Sequence, residues 1–327
     1  MKLHLFFSTT LALFFLMLFS CEEERVEPQT AGNQLTPAKK EQLTPVNFTL
    51  ANWMSAIDGS LKLSAISIPG THDTGARYDP PLLSGTAKCQ DLTIGEQLNA
   101  GTRFLDIRCR HIDDAFTIHH GAVYQYLNFN DVLNACFNFL SGHPSECIIM
   151  SVKEEHTPQN NTRSFEATFD TYVQANPGKW VLADAVPTLG SVRGKIVLFR
   201  RFGVVNTPKG INATAWADNT TFEITNTYGN IKIQDNYVVP DNNVKWHAIE
   251  GLLNEASSAS ADKLFINFTS GYKPGWFGIP NIPAVSNTMN PQVESYFTPQ
   301  KYGRFGIVTM DFANSTRNQL VVNSNFP

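Results

Sequence analysis

The sequence predicts an α/β protein, a single irregular (βα)8-type TIM barrel with its active site at the C-terminal mouth of the strands. Three observations lead there. Short apolar runs of strand length alternate with segments of helical period, the order expected of a parallel sheet with crossover helices. Several runs carry polar or charged residues on one alternating face, as at Asp106 and Arg108, at Lys153, and at Thr309 and Asp311; such barrels keep their chemistry at strand ends. Residues 199–231 offer no crossover helix, because 206–226 is polar and turn-rich, and this makes the barrel irregular.

The elements follow in order. The folded part begins near residues 47–53, with 53–57 as a short helical or capping segment. Residues 66–68 form a buried strand that Pro69 and Gly70 stop, which sets His72 and Asp73 at its carboxyl end. Residues 92–100 carry apolar side chains at helical spacing, with Gly101 as the stop. In the strand 103–110, alternation turns Leu105, Ile107 and Cys109 to the outer helices and Phe104, Asp106 and Arg108 inward. In the strand 116–120, Phe116, Ile118 and His120 share a face. Only one of His119 and His120 therefore reaches the site, and His119 is the structural one. Asn128 or Asn130 caps a helix running to about Ser141, with Phe129, Val132, Leu133, Cys136, Phe137 and Leu140 at its apolar positions. Strands at 148–155, 196–199, 231–235, 264–269 and 307–311 and helices at 165–175 and 244–255 complete the set.

Ahead of the barrel, residues 1–20 read as an export signal. Lys2 gives a positive start, 5–18 is a largely apolar run, and Leu18-Phe19-Ser20-Cys21 resembles a bacterial lipobox, so Cys21 is the expected lipidation site. Residues 21–46, rich in Glu, Gln, Thr, Pro and Lys, read as a flexible tether, leaving 47–327 as the folded domain. The expectation is an exported bacterial lipoprotein, anchored through Cys21 at the outer membrane or cell surface. No other run reaches the length of a membrane span. With 327 residues and 42% hydrophobic residues the chain can build one large core, and a formal net charge of −4 gives no electrostatic case for nucleic-acid binding. Cys89, Cys109, Cys136 and Cys147 show no CxxC spacing. They are either paired, in one of three connectivities, or four buried thiols.

The strand ends offer His72, Asp73, Asp106, Arg108 and one of the His119-His120 pair: two histidines, two carboxylates and an arginine. Two histidines of opposite protonation can serve as base and acid, and an arginine fork grips a phosphate bidentately. The set therefore points to phosphoryl transfer. A metal held by the histidines with Asp73 or Asp106 is the alternative, and Arg108 amid the cluster would repel a divalent cation. No GxSxG elbow is present, and Gly190 to Lys195 has the wrong spacing for a phosphate-binding loop.

At these residues the chain resembles a known family. Ser-Ile-Pro-Gly-Thr-His-Asp-Thr at 67–74, Phe-Leu-Asp-Ile-Arg at 104–108 and Ile-His-His-Gly at 118–121 look like the catalytic X-box region of bacterial secreted phosphatidylinositol-specific phospholipase C. The likeness continues at 148–153, 194–198, 216–219, 234–237, 264–270 and 310–312, and spans most of 53–311. It implies a distorted TIM barrel and a phospholipase C-like catalytic domain that needs no cofactor or metal. The implied reaction cleaves phosphatidylinositol to diacylglycerol and inositol 1,2-cyclic phosphate. By this resemblance His72 is the general base, oriented by Asp311, and His120 the general acid, supported by Asp73. Arg108 stabilises the phosphate with Asp106 beside it. Lys153, Arg201 and Asp235 bond the ring hydroxyls, and Tyr237 stacks on the ring. The implied partners are phosphatidylinositol and the membrane surface, with the chain as a monomer; whether glycosyl-phosphatidylinositol anchors are cleaved stays open. The family carries apolar rim residues that dip into the bilayer. Here Trp276, Phe277 and Ile279 stand in a different local sequence, either as such a rim or as a packed loop. Two further readings are a metal-dependent glycerophosphodiester phosphodiesterase, which would need acidic ligands where Arg108 stands, and a non-catalytic inositol-lipid-binding surface protein, which would have lost His72 or His120.

Overall fold

A run of parallel pairings organises the molecule. The computed structural model describes residues 48–327; Cys21, the export signal and the tether lie outside the described residues. The strands are β1 (Ile68–Thr71), β2 (Phe104–Ile112), β3 (Ala115–His120), β4 (Val123–Asn128), β5 (Ile148–Glu154), β6 (Trp180–Val181), β7 (Ile196–Arg201), β8 (Ile211–Asn212), β9 (Thr221–Ile224), β10 (Ile231–Gln234), β11 (Leu264–Phe268), β12 (Lys273–Pro274), β13 (Pro280–Asn281) and β14 (Ile307–Met310). The main sheet runs β6-β7-β5-β2-β1-β14-β11-β10-β9. Every pair on this path is parallel except β10–β9. β8 lies parallel to β7 beyond β6. Among the described residues no strand pairing joins β8 to β9, and there Asn226 donates across the opening to the Asn212 carbonyl at 2.8 Å. The barrel is open in the region where the sequence offered no crossover helix.

The helices are α1 (Ile94–Asn99), α2 (Phe129–Gly142), α3 (Phe165–Ala175), α4 (Leu189–Val192), α5 (Asn242–Ser258), α6 (Pro283–Phe297) and α7 (Ser315–Asn323). Their starts are chemically marked. Thr93 and Glu96 close a capping box on α1, Asn128 and Asp131 do so on α2, and Ser164 caps α3. Gly101, at φ +102°, ends the first crossover in a backbone region that costs glycine least. α4 and the turn after it occupy 189–195, the strand lead-in that only imitated a phosphate loop.

Alternation along the strands divides the core into layers. Ile68, Phe104, Ile149, Val197, Phe199, Ile233, Ile266 and Ile307 fill the barrel interior. Leu105, Ile107 and Cys109 pack outward against α2 residues such as Val132, Leu133 and Cys136. Trp53, Met54 and Leu63 close the N-terminal end. Arg103 ties this plug down, fully buried against Glu146 at 2.8 Å and donating to the carbonyls of Leu50, Ala51, Leu98 and Thr102. Removing either partner would leave a buried charge unmatched.

Some elements escaped sequence reading. β4, α6 and α7 were not anticipated. Pro291 lies inside α6, and α7 opens with Ser315-Thr316-Arg317-Asn318-Gln319, which blurs the helical period. The four cysteines are free and buried, the thiol alternative of the two held open.

Candidate active site

Register alone assembles half of the site. β1 and β14 pair with Thr71 opposite Met310, so the next residues, His72 and Asp311, emerge side by side. His72 Nδ1 lies 2.7 Å from Asp311 Oδ1. Its Nε2 lies 2.7 Å from Arg108 Nη2, and since a guanidinium only donates, Nε2 is the acceptor and Nδ1–H the donor to Asp311. Burial pulls the imidazole down, but the charge and hydrogen bond of Asp311 outweigh it, so His72 sits above the ordinary histidine value. Across β2, β5 and β7 the pairs Arg108–Lys153 and Lys153–Arg201 stand in register, forming a row of three cations at the mouth.

Carboxylates hold this row from below. Asp106 accepts from Arg108 Nε at 3.2 Å, from Arg201 Nη1 at 3.4 Å and from the backbone of Asp73 at 3.2 Å. Burial would push its carboxyl up, but Arg108 and Arg201 hold it well below the usual carboxylate range. Glu155 bonds Lys153 Nζ at 2.8 Å and the Gly121 N–H at 2.9 Å. Against the effect of its burial, Arg108 and Lys153 bring it down to about 2. The Arg201 guanidinium carbon lies over Trp216, 3.6 Å from the ring centre, and Trp216 Nε1 donates to Asp235 at 3.0 Å. Tyr237 donates to Asp218 at 2.6 Å, and that bond and burial push its hydroxyl up to about 12.

His120 is placed differently. Phe116, Ile118 and His120 share a face as alternation requires, but what covers that face changes along the strand. Phe116 stacks on Phe165, Ile118 meets Gly75, and His120 meets the loop after β1. Its Nδ1 lies 2.6 Å from the Ala87 carbonyl, 3.6 Å from Asp73 Oδ2 and 3.7 Å from Cys89 Sγ. Asp73 has a left-handed backbone (φ 37°), is fully buried, and has no hydrogen-bond partner on either carboxylate oxygen among the described residues. Burial pushes its carboxyl up despite Arg108, His120 and His72 nearby. The two imidazoles face one another edge to face, with centres 6.5 Å apart. His119 is buried beside Tyr124, as alternation foretold.

His72, Arg108, His120, Lys153, Arg201, Asp235 and Tyr237 line one cavity of about 420 Å³, together with Trp216, Asp218 and Tyr272. That volume suits a small polar ring and its phosphate. Asp73, Asp106 and Asp311 stand behind the lining as buried counter-charges. All ten residues singled out in the sequence thus gather at one mouth. Sequence reasoning gave no site role to Cys89, Glu155, Trp216 or Asp218, although the resemblance took in 216–219. For Glu155 the available signal was its place two residues beyond Lys153 on one polar face.

Comparison with known proteins places this geometry. Residues 66–202 match the model of the phosphatidylinositol-specific phospholipase C X domain. A 1-phosphatidylinositol phosphodiesterase of Staphylococcus aureus strain Newman is 34% identical over 279 residues, covering 81% of this chain and 89% of the relative. The chain belongs to the phosphatidylinositol-specific phospholipase C family. A Listeria monocytogenes 1-phosphatidylinositol phosphodiesterase is 30% identical, covering 85% of this chain and 86% of the relative. A solved S. aureus phosphatidylinositol-specific phospholipase C superposes with a TM-score of 0.77 at 31% identity, over 85% of this chain and 98% of that one. The L. monocytogenes enzyme superposes at 0.67 and 28% identity, over 86% and 100%. A phospholipase C of this family thus carries the barrel opening and the cationic row described above.

Proposed function

We propose that this phospholipase C cleaves phosphatidylinositol by attack of the inositol 2-hydroxyl on the adjacent phosphorus, releasing diacylglycerol and inositol 1,2-cyclic phosphate. The observation that carries the reading is the pair of opposed imidazoles flanking Arg108 in one cavity. The nucleophile belongs to the substrate, so attack is intramolecular and the protein need only position it and move two protons. His72 takes the hydroxyl proton at Nε2, its tautomer held by Asp311. In the free site Arg108 occupies that lone pair; an arriving phosphate gives the guanidinium a better acceptor and frees Nε2. The charge growing on the non-bridging oxygens meets a donor already held by Asp106. His120 Nε2 protonates the glycerol oxygen as its bond to phosphorus breaks. Lys153, Arg201 and Asp235 bond the ring hydroxyls, and Tyr237 covers the ring face.

The rim supports action at a membrane surface. Phe277, at the tip of the β12–β13 hairpin, is 96% exposed, and Ile279 beside it is also exposed. This matches a displayed rim better than a packed loop; the side chain of Trp276 lies outside the described positions. Leu82 and Leu83 are exposed on a second loop. Asp79 stiffens that loop by accepting from the backbone of Gly85, Thr86, Ala87 and Lys88. A solved S. aureus relative is titled for modulation of its membrane binding. Export and lipidation at Cys21 belong to the same proposal and rest on the sequence; Cys21→Ala is expected to remove the acyl mass and the partition into detergent. Among the described residues no helix is long and apolar enough to cross a membrane.

Phosphorus NMR of a phosphatidylinositol digest tests the chemistry. The expected first product gives a five-membered cyclic phosphate signal. An acyclic phosphomonoester formed directly, with no cyclic signal before it, would favour a glycerophosphodiesterase, and no turnover with retained lipid binding would favour a non-catalytic binder.

A further inference from the structure

Cys89 is a feature the reaction does not use. It is fully buried in the loop between β1 and α1 and lies against both histidine–carboxylate pairs. Its sulfur, Asp73 and His120 form one cluster of potential ligand atoms; with His72 and Asp311 it forms another. The two are not equivalent. Asp311 is already committed, at 2.7 Å to His72 and 3.4 Å to the Gly271 N–H, whereas both oxygens of Asp73 are buried without a hydrogen-bond partner among the described residues, with Arg108 Nε and His120 Nδ1 no nearer than 3.7 and 3.6 Å to Oδ2. Two of the three separations in the Asp73 cluster also suit a metal, the third lying within 4.8 Å. Sγ to Nδ1 is 3.7 Å and Nδ1 to Oδ2 is 3.6 Å, against edges of about 3.3–3.6 Å for a tetrahedron built with zinc's usual bond lengths.

From this geometry we infer that Cys89, Asp73 and His120 form an inhibitory binding site for a divalent cation of the zinc class. Three protein ligands leave a fourth position open, beside the Ala87 carbonyl that now accepts from His120. On binding, the Cys89 S–H bond breaks and its proton passes to solvent; His120 gives up its Nδ1 proton and keeps the one on Nε2. Thiolate and carboxylate together balance the cation's two charges, so Arg108 does not exclude it as it would a calcium ion. Calcium and magnesium, which take oxygen ligands, are expected not to compete. A ring holding metal at Nδ1 is a far weaker acid at Nε2 than an imidazolium, so the leaving oxygen goes unprotonated. This inhibitory consequence rests on His120 being the acid; the binding does not.

Two titrations of the full-length protein test it. Cobalt(II) is expected to give a thiolate-to-cobalt charge-transfer band with the wild type and none with Cys89→Ser. Zinc is expected to inhibit phosphatidylinositol cleavage reversibly, with a midpoint raised about 10–100-fold or more in Cys89→Ser; Cys89→Ala serves as a second variant should the serine protein fold poorly. A wild-type protein without the band, or equal zinc sensitivity in the variants, overturns the site. A band in a protein that does not cleave phosphatidylinositol would support the site and sink the catalytic reading instead.

Discussion

The two histidine–aspartate pairs are built in opposite ways. His72 and Asp311 sit on neighbouring parallel strands, in register, joined at 2.7 Å. His120 sits at the free end of a hairpin, and its partner Asp73 lies in a loop 3.6 Å away, too far for a hydrogen bond. A base must be held in one tautomer to accept a proton on cue, and the sheet supplies that rigidity. In the proposed reaction the acid must start as imidazolium, and here the nearby Asp73 carboxylate supports that charge without a hydrogen bond, while the Ala87 carbonyl orients the ring at 2.6 Å. The same contrast is why the proposed cation site uses the second pair, whose carboxylate makes no hydrogen bond, and not the first.

The sharpest way to break this comparison is to delete the rings. His72→Ala and His120→Ala are each expected to lower kcat by about 10²–10⁴-fold or more, and the double variant by far less than the product, because the two act as a unit. Only His120→Ala should recover on a substrate whose leaving group needs no proton. Equal loss on good and poor leaving groups would remove His120 from the acid's role.

Arg108 touches both halves, through His72 at 2.7 Å and Asp73 at 3.7 Å. Arg108→Lys keeps the charge but loses the planar fork, and is expected to cost about 2–5 kcal/mol of transition-state stabilisation, read from kcat/KM. In the proposed mechanism the arginine serves where a metal otherwise would, so EDTA is expected to leave the wild-type rate unchanged. Loss in EDTA with return on adding calcium would overturn this assignment.

How much of this was legible follows the same division. Residues on strands announced themselves: alternation places Asp106 and Arg108 together, and the ends of two strands name His72 and Asp311. The row Arg108, Lys153, Arg201 needs only three strands in parallel register. Loop residues gave no such signal. Cys89 lies in a segment without period, and its position depends on the Asp79 turn that folds 79–88 back on itself. Trp216 and Asp218 come from a turn-rich stretch without periodic signal, which only the resemblance at 216–219 marked, yet both line the cavity. The outward packing of Phe116 and Ile118 beneath an inward His120 was hidden too, because alternation fixes which side chains share a face and not what covers it.

The smallest and most discriminating effects come from the aspartates. As the proposed base His72 must be neutral, so its raised value is expected to set the acidic limb of kcat/KM above the ordinary histidine value of 6.5. Asp311→Asn removes the charge that raises it and leaves burial, which lowers it; the limb is expected to move to lower pH as the rate falls. Asp73→Asn should leave that limb in place and cost less than the tenfold that about 1.4 kcal/mol represents, because no hydrogen bond is lost. Its effect on stability should have the opposite sign. Burial raises the Asp73 carboxyl above its ordinary 3.8, so the folded state binds the proton more tightly than the unfolded chain, and stability declines as pH climbs from that value through the folded one. An asparagine has no proton to lose. Asp73→Asn is therefore expected to raise Tm at neutral pH relative to wild type, while Asp311→Asn, which breaks a buried hydrogen bond, lowers it. Thermal unfolding at neutral pH decides: a lower Tm for Asp73→Asn would mean that the carboxylate is held by its surroundings as firmly as Asp311, and the contrast between the two pairs would fall.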